Sequence, residues 1–383
     1  YDNSSLVFDG VEMTTTAHSG IETNGNNTND TVTLKNSTLN VPNGFGIYFP
    51  SSGKLTIENS TINAKTMGVQ VCAGGLNISG AGTAITVSGD GIDKTINDGA
   101  IEDGAAISIV ERTGYKGLIA IKVESGTFKA NGTNAAVKAY KWENKTESAF
   151  DNSKNVVAVS GGTFSSAVDK SLCAGGFIPT QNADGTYGVK VGKYVAEIGS
   201  QGYESLQEAV DAAKSGATVK LLADTYANVT IAKAMTLDLN GHTLNGGQVK
   251  AKPALTVSNS SVTIQDSSAA QTGTIMREDT AANSGVSSHY VIDIQGKNAF
   301  LKFESGTVRN NSGNTQGKGA SLVRVGDDSV SAWPQLTIAG GTFTQDNFIV
   351  IKVDRGTFYL TGGTLNSKND YAVENWSTAT IKG

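Results

Sequence analysis

Charge is scarce in this chain. Only 17% of its 383 residues are Asp, Glu, Lys or Arg, the formal net charge is −5, and no stretch concentrates lysine and arginine. A nucleic-acid partner is therefore not expected, because neutralising phosphates takes a dense basic surface. Apolar runs are short as well. None approaches the roughly 20 residues of a spanning helix, so no membrane span is expected in this segment. The opening residues, Tyr1-Asp2-Asn3-Ser4-Ser5, are not a signal peptide, although such a signal is removed from a mature chain along with any upstream domain. Cysteine occurs twice, at Cys72 and Cys173, about 100 residues apart. One disulfide and two buried thiols both fit, and neither decides the compartment. Histidine occurs three times, as His18, His242 and His289, at spacings that do not suit a zinc site.

What the chain does have is 46 Gly with only 5 Pro, on a background rich in Thr, Asn, Ser and Val. β-Branched residues favour pleated strands, and Gly and Asn suit the tight turns between them. A stamp of Gly-Thr plus a large apolar residue recurs, as in Gly126-Thr127-Phe128, Gly162-Thr163-Phe164, Gly306-Thr307-Val308, Gly341-Thr342-Phe343, Gly356-Thr357-Phe358 and Gly363-Thr364-Leu365. Thr38 to Thr61 is a step of 23, Thr61 to Thr83 a step of 22, and Thr342 to Thr364 again 22. The 44 residues from Thr83 to Thr127 read as two steps, and the 36 from Thr127 to Thr163 as one step with an insertion around 141–145. A period near 22 with alternating strands fits three short strands and three turns per coil. Leucine-rich repeats need a leucine and asparagine frame that is missing, and propeller blades need about 40 residues. The expected fold is all-β, a parallel β-helix in which Phe128, Phe164 and Phe343 belong to internal apolar ladders. Phe358 belongs to the same row or to another strand of its coil.

The middle of the chain departs from this period. Ser205-Leu206-Gln207-Glu208 is a capping box, and Leu206, Ala209, Val210 and Ala213 form one apolar helical face ending before Gly216. One short amphipathic helix is thus expected near 205–215, suited to cap the open end of a solenoid. Upstream, Asn182-Ala183-Asp184-Gly185-Thr186-Tyr187 carries an Asp-Gly turn between strand formers and reads as an exit hairpin. Two tandem solenoids follow, 1–192 and 193–383. The first lacks a capping helix of its own and the second stops within a coil, as expected of a piece of a longer chain.

The stretch from Tyr203 through Thr218-Val219-Lys220-Leu221-Leu222 to Leu237-Asp238-Leu239-Asn240-Gly241-His242-Thr243-Leu244 closely resembles the start of pectin-lyase-like β-helix modules of large secreted bacterial surface proteins. The later Gly-Gly-Thr-Phe turns resemble the same modules. The resemblance implies a right-handed parallel β-helix and an extracellular segment, secreted or attached to the cell surface. It implies no particular chemistry, since a shared fold does not carry function.

Catalytic constellations are not evident. Gly326-Asp327-Asp328, Asn29-Asp30 and Ile351-Lys352 are scattered, and Arg112, Arg277, Arg309, Arg324 and Arg355 share no motif. His242, inside a turn motif, is expected to be structural. Asp90, Asp93, Asp98 and Asp103 could place carboxylates around a calcium ion, although the stretch misses the EF-hand spacing and solvated turn acids explain it as well. The Asn-x-Thr triplets at Asn36 and Asn59 coincide with the repeat, so turn geometry accounts for them. Tyr140, Trp142, Trp333 and Trp376 are candidate ligand-binding residues, because an aromatic ring projecting beside polar groups suits sugar stacking or protein docking. The expected role is a non-catalytic, adhesin-like or stalk segment that binds glycans or proteins on a host or environmental surface. The alternative is a polysaccharide lyase or glycoside hydrolase using acidic residues of adjacent coils.

Overall fold

The computed structural model describes residues 2–92, 99–247, 252–278, 290–311, 321–327, 332–346 and 348–381. Within them the chain is nearly all β, arranged in several parallel sheets. It divides into two compact units, Tyr1–Lys193 and Tyr194–Gly383, against an expected boundary at residue 192.

In the first unit the chain visits three sheets in rotation. Thr31–Lys35, Thr38–Val41 and Phe45–Phe49 each join a different sheet. Lys54–Glu58, Thr61–Ala64 and Met67–Val71 then return beside them, pairing Thr31 with Lys54, Thr38 with Thr61 and Phe45 with Met67 in parallel. Alternation along each strand sets the buried face, as in Lys54–Glu58, where Leu55 and Ile57 are buried and the residues around them are not. Register then stacks like on like. Leu34, Ile57, Ile78, Val123 and Val159 form one buried row, and Leu39, Ile62, Ile85, Phe128 and Phe164 another. Each such side chain contributes about 1.5–3 kcal/mol on leaving water.

The stamp marks the turn into these rows. Gly162 has φ +114°, and a Cβ there would stand 2.8 Å from the Phe128 ring and 3.0 Å from the Phe164 ring. Those two rings stack with centroids 5.1 Å apart. Asn36 and Asn59, in the triplets, adopt φ +48° and +45°, the left-handed turn that asparagine tolerates.

Two spacings need correction or refinement. Ala84, not Thr83, holds the stamp position, pairing with Thr61 on one side and Thr127 on the other. The 44-residue interval is therefore one step that carries an excursion after Val87, not two steps. The 36-residue step carries the hairpin Val137–Glu143 with Thr146–Ala149, which runs antiparallel over the expected insertion. Thr357-Phe358 lies in another sheet from the Thr342 and Thr364 stamps, pairing with Gln335-Leu336. The exit hairpin joins Phe177–Gln181 to Tyr187–Val191.

The second unit repeats the rotation through three sheets around its own core. Its helix, Leu206–Ala212, is shorter than the pattern implied. Ser205 caps it by accepting from the Glu208 amide at 3.5 Å, and Leu206, Ala209, Val210 and Ala213 are buried. Gly216, at φ +83°, belongs to the turn into Ala217–Leu221 rather than to the helix stop. The antiparallel strands Ala196–Ile198 and Gln201–Tyr203 end the first sheet beside Ala217–Leu221. The Asn240-Gly241-His242 motif is a turn tied by two buried carboxylates. Asp238 accepts from the Asn240 and Ser267 amides at 3.0 Å, and Asp266 accepts from the Gly241 amide at 2.8 Å and also from the Ser268 and Gly273 amides. Burial alone would raise the Asp266 carboxyl, but these donors outweigh it and hold the group below the usual Asp range.

Candidate functional site

A strand buried on one face alternates, yet Phe45–Phe49 and Met67–Val71 are buried at every position. Residues 99–105, from the excursion after Val87, explain this by covering the outer face of that sheet. Gln70 exchanges two hydrogen bonds with the Ile101 backbone, at 2.7 and 2.8 Å. Asp103 accepts from Ser108 Oγ at 2.6 Å, from the Ala105 amide at 3.0 Å and from the Tyr140 hydroxyl at 3.0 Å. Glu102 accepts from the Thr66 hydroxyl and meets His18 Nε2 at 2.7 Å. The result is a second apolar layer outside the sheet, built on Phe45, Met67, Cys72, Ile101, Tyr140 and Trp142, with its polar groups answered.

That layer changes the reading of two sequence candidates. Tyr140 and Trp142 do not project. They are 2% and 5% exposed and pack edge to face, so they hold the excursion down and offer no ring to a ligand. Of the four acids considered for calcium, Asp93 and Asp98 lie outside the described residues. Asp103 is engaged as above, and Asp90 accepts from the side-chain amides of Asn131 and Asn134 at 3.0 and 3.2 Å. Among the described residues no three His, Cys, Asp or Glu side chains gather as a metal site would require. The cysteines are both buried and unpaired. Burial pushes the Cys72 thiol up to about 12, which keeps it protonated and inert at neutral pH.

Where the covered layer meets the surface there is a cleft of about 560 Å³, lined by Glu22, Asn24, Asn26, Tyr48 and Tyr115 among others. The Tyr48 and Tyr115 hydroxyls lie 2.9 Å apart. Behind them, buried Arg112 donates to the Tyr48 hydroxyl at 3.3 Å and to the Gly99 carbonyl at 2.6 Å, and its guanidinium sits 5.0 Å from the Tyr115 ring centre. The facing loop is preset. Asn24 accepts from the Asn26 amide at 2.9 Å through its side chain, and Lys116 donates to the Asn26 carbonyl at 3.2 Å. Gly25 lets the loop approach, since a Cβ there would be 3.1 Å from the Tyr115 ring. Thr23 contributes a buried hydroxyl oxygen that no protein group bonds among the described residues. Burial drives the Tyr48 hydroxyl well above the ordinary tyrosine range, so it works as a neutral donor and acceptor, never as a base near pH 7.

In the second unit, Trp376 is 74% exposed with the Lys352 ammonium 5.8 Å from its ring centre, and Trp333 is 51% exposed and donates to Thr357 Oγ1 at 3.3 Å. These two rings do present themselves to solvent. His242 Nδ1 lies 3.4 Å from Asp224 Oδ1, while its backbone closes the turn described above. No protein-family model matches the chain, and neither does a curated protein or a solved structure.

Proposed function

We propose that each unit is a right-handed parallel β-helix of the pectin-lyase-like kind, the two in tandem, within a secreted or surface-attached bacterial protein, and that the chain is a non-catalytic, adhesin-like segment that binds glycans. The rotation through three sheets, with apolar rows in register and with steps of 21–23 residues recurring in both units, supports the coil. The cleft of the first unit carries the binding reading. It combines the half-buried ring of Tyr115, hydrogen-bonded to the buried Tyr48 hydroxyl, with the Glu22 carboxylate and the Asn24 and Asn26 amides, in a pocket held open by groups that already satisfy one another. Sugar recognition needs that mixture of ring surface and fixed donors and acceptors.

A non-catalytic role fits the same geometry. Among the described residues lining the cleft only Glu22 is an acid, where glycosidic cleavage ordinarily takes a carboxylate pair, and the buried acids Glu102 and Asp103 serve the covering layer. Exposure of the intact chain to a broad glycan array is expected to retain a defined subset that includes hydroxyl-rich, uncharged glycans. Incubation with the polysaccharides from which those glycans derive is expected to leave their chain lengths unchanged. An empty array would remove the binding reading, and shortened chains would replace it with a carbohydrate-active enzyme.

A further inference from the structure

The second unit carries a separate pocket whose chemistry differs from the first. Tyr226, Asn245, Met276 and Arg309 are register partners on four successive parallel strands, Thr225–Tyr226, Thr243–Asn245, Thr274–Glu278 and Thr307–Asn311. They line a pocket of about 210 Å³ together with Asp224 and Thr243. At a strand spacing of about 4.8 Å, the Arg309 backbone stands about 14 Å from that of Tyr226, and the arginine side chain spans part of the gap. Its hydrogen bond among the described residues is to the Met276 thioether sulfur, at 3.4 Å.

That is a poor use of a guanidinium. It has five donors in a planar fork that matches a carboxylate, and a thioether is a weak acceptor. The Met276 side chain is buried and gives the pocket an apolar floor, whereas the Tyr226 ring is 62% exposed at the other end. The acid in the pocket, Asp224, is at the Tyr226 end, exposed and held in place through Oδ1. Its Oδ1 accepts from the Thr243 amide at 2.9 Å and lies near His242 Nδ1. The pocket is therefore polar at both ends with opposite charge, cationic at Arg309 and anionic at Asp224.

We propose that this pocket binds a terminal sugar bearing a carboxylate. The Arg309 fork takes the carboxylate, the sugar ring stacks on Tyr226, and its hydroxyls donate to Asp224. The proposal rests on the reading of the chain as a glycan-binding segment, but it uses residues of the other unit, so the two can fail separately.

Calorimetric titration of the intact chain with sialyllactose, with a disaccharide ending in glucuronic acid, and with lactose tests it. At least one acidic probe is expected to bind tenfold or more tighter than lactose, the effect of about one charge-assisted pair. Arg309→Met, which keeps the packing on Met276, is expected to abolish that preference at unchanged melting temperature. Tyr226→Ala is expected to weaken the acidic probe, and Tyr115→Ala in the first unit to leave it unaffected. Equal affinity for acidic and neutral probes, or an Arg309→Met variant that retains the preference, would overturn the proposal. Loss of the preference in Tyr115→Ala would return the binding to the first cleft and overturn it equally.

Discussion

At the scale of single residues, the turns carry strict demands. Gly162 combines a positive φ with two phenylalanine rings where a Cβ would go. Gly162→Ala is expected to destabilise the first unit by more than about 1 kcal/mol, read from the denaturant midpoint, because alanine is strained at that φ and must push the rings apart. Asp266 is 4% exposed and collects backbone amides from three residues. In Asp266→Asn one oxygen remains, but an NH₂ group faces a donor in place of the other, so a loss of about 1–3 kcal/mol is expected in the second unit. The pH dependence follows from the sign of the shift. A carboxyl held below its unfolded value stabilises fully above about pH 4 and loses that contribution as pH falls through the lower, folded value. Thermal melts of the wild-type chain should therefore change little from Asp266 between pH 7 and 5 and fall off below about 4. Asp266→Asn should show a shallower acid limb.

At the scale of elements, local signals were the legible ones. The capping box at Ser205, the Asp-Gly turn at Asp184-Gly185 and the alternation of Lys54–Glu58 each act within a few residues, and each produced the expected helix, hairpin or strand. Ser205→Ala is expected to cost about 0.5–2 kcal/mol in the second unit, because the Glu208 amide loses its acceptor. Spacing was less safe. Thr83 sits beside the true register position, Ala84, and an excursion of nearly one period looked like an additional coil. Long-range covering is equally hidden from the sequence at Tyr140 and Trp142. They occupy outward positions of a strand, and only the chain that folds over the sheet from 99–105 makes those positions interior. The cleft was not legible because Tyr48, the turn carrying Arg112 and Tyr115, and the 22–26 loop come from three different passes through the sheets and share no periodicity.

At the scale of the whole molecule, each unit has its own rows of buried side chains and its own set of three sheets. Ile57 is fully buried in the first unit. Ile57→Ala is expected to cost about 2–5 kcal/mol and to lower the unfolding transition of that unit while the other keeps its midpoint, as calorimetry would resolve. The proposed binding rests on what lies between the repeated turns: an excursion, a loop and a few side chains on strand rows. The direct measurement is the affinity of the intact chain and of Tyr115→Ala for a neutral glycan retained on the array, by calorimetric titration with melting temperatures taken alongside. A cleft built on Tyr48, Tyr115 and Arg112 predicts at least about tenfold weaker binding in the variant, the loss of one stacked ring, with the fold intact. Equal affinity in the two proteins would contradict it.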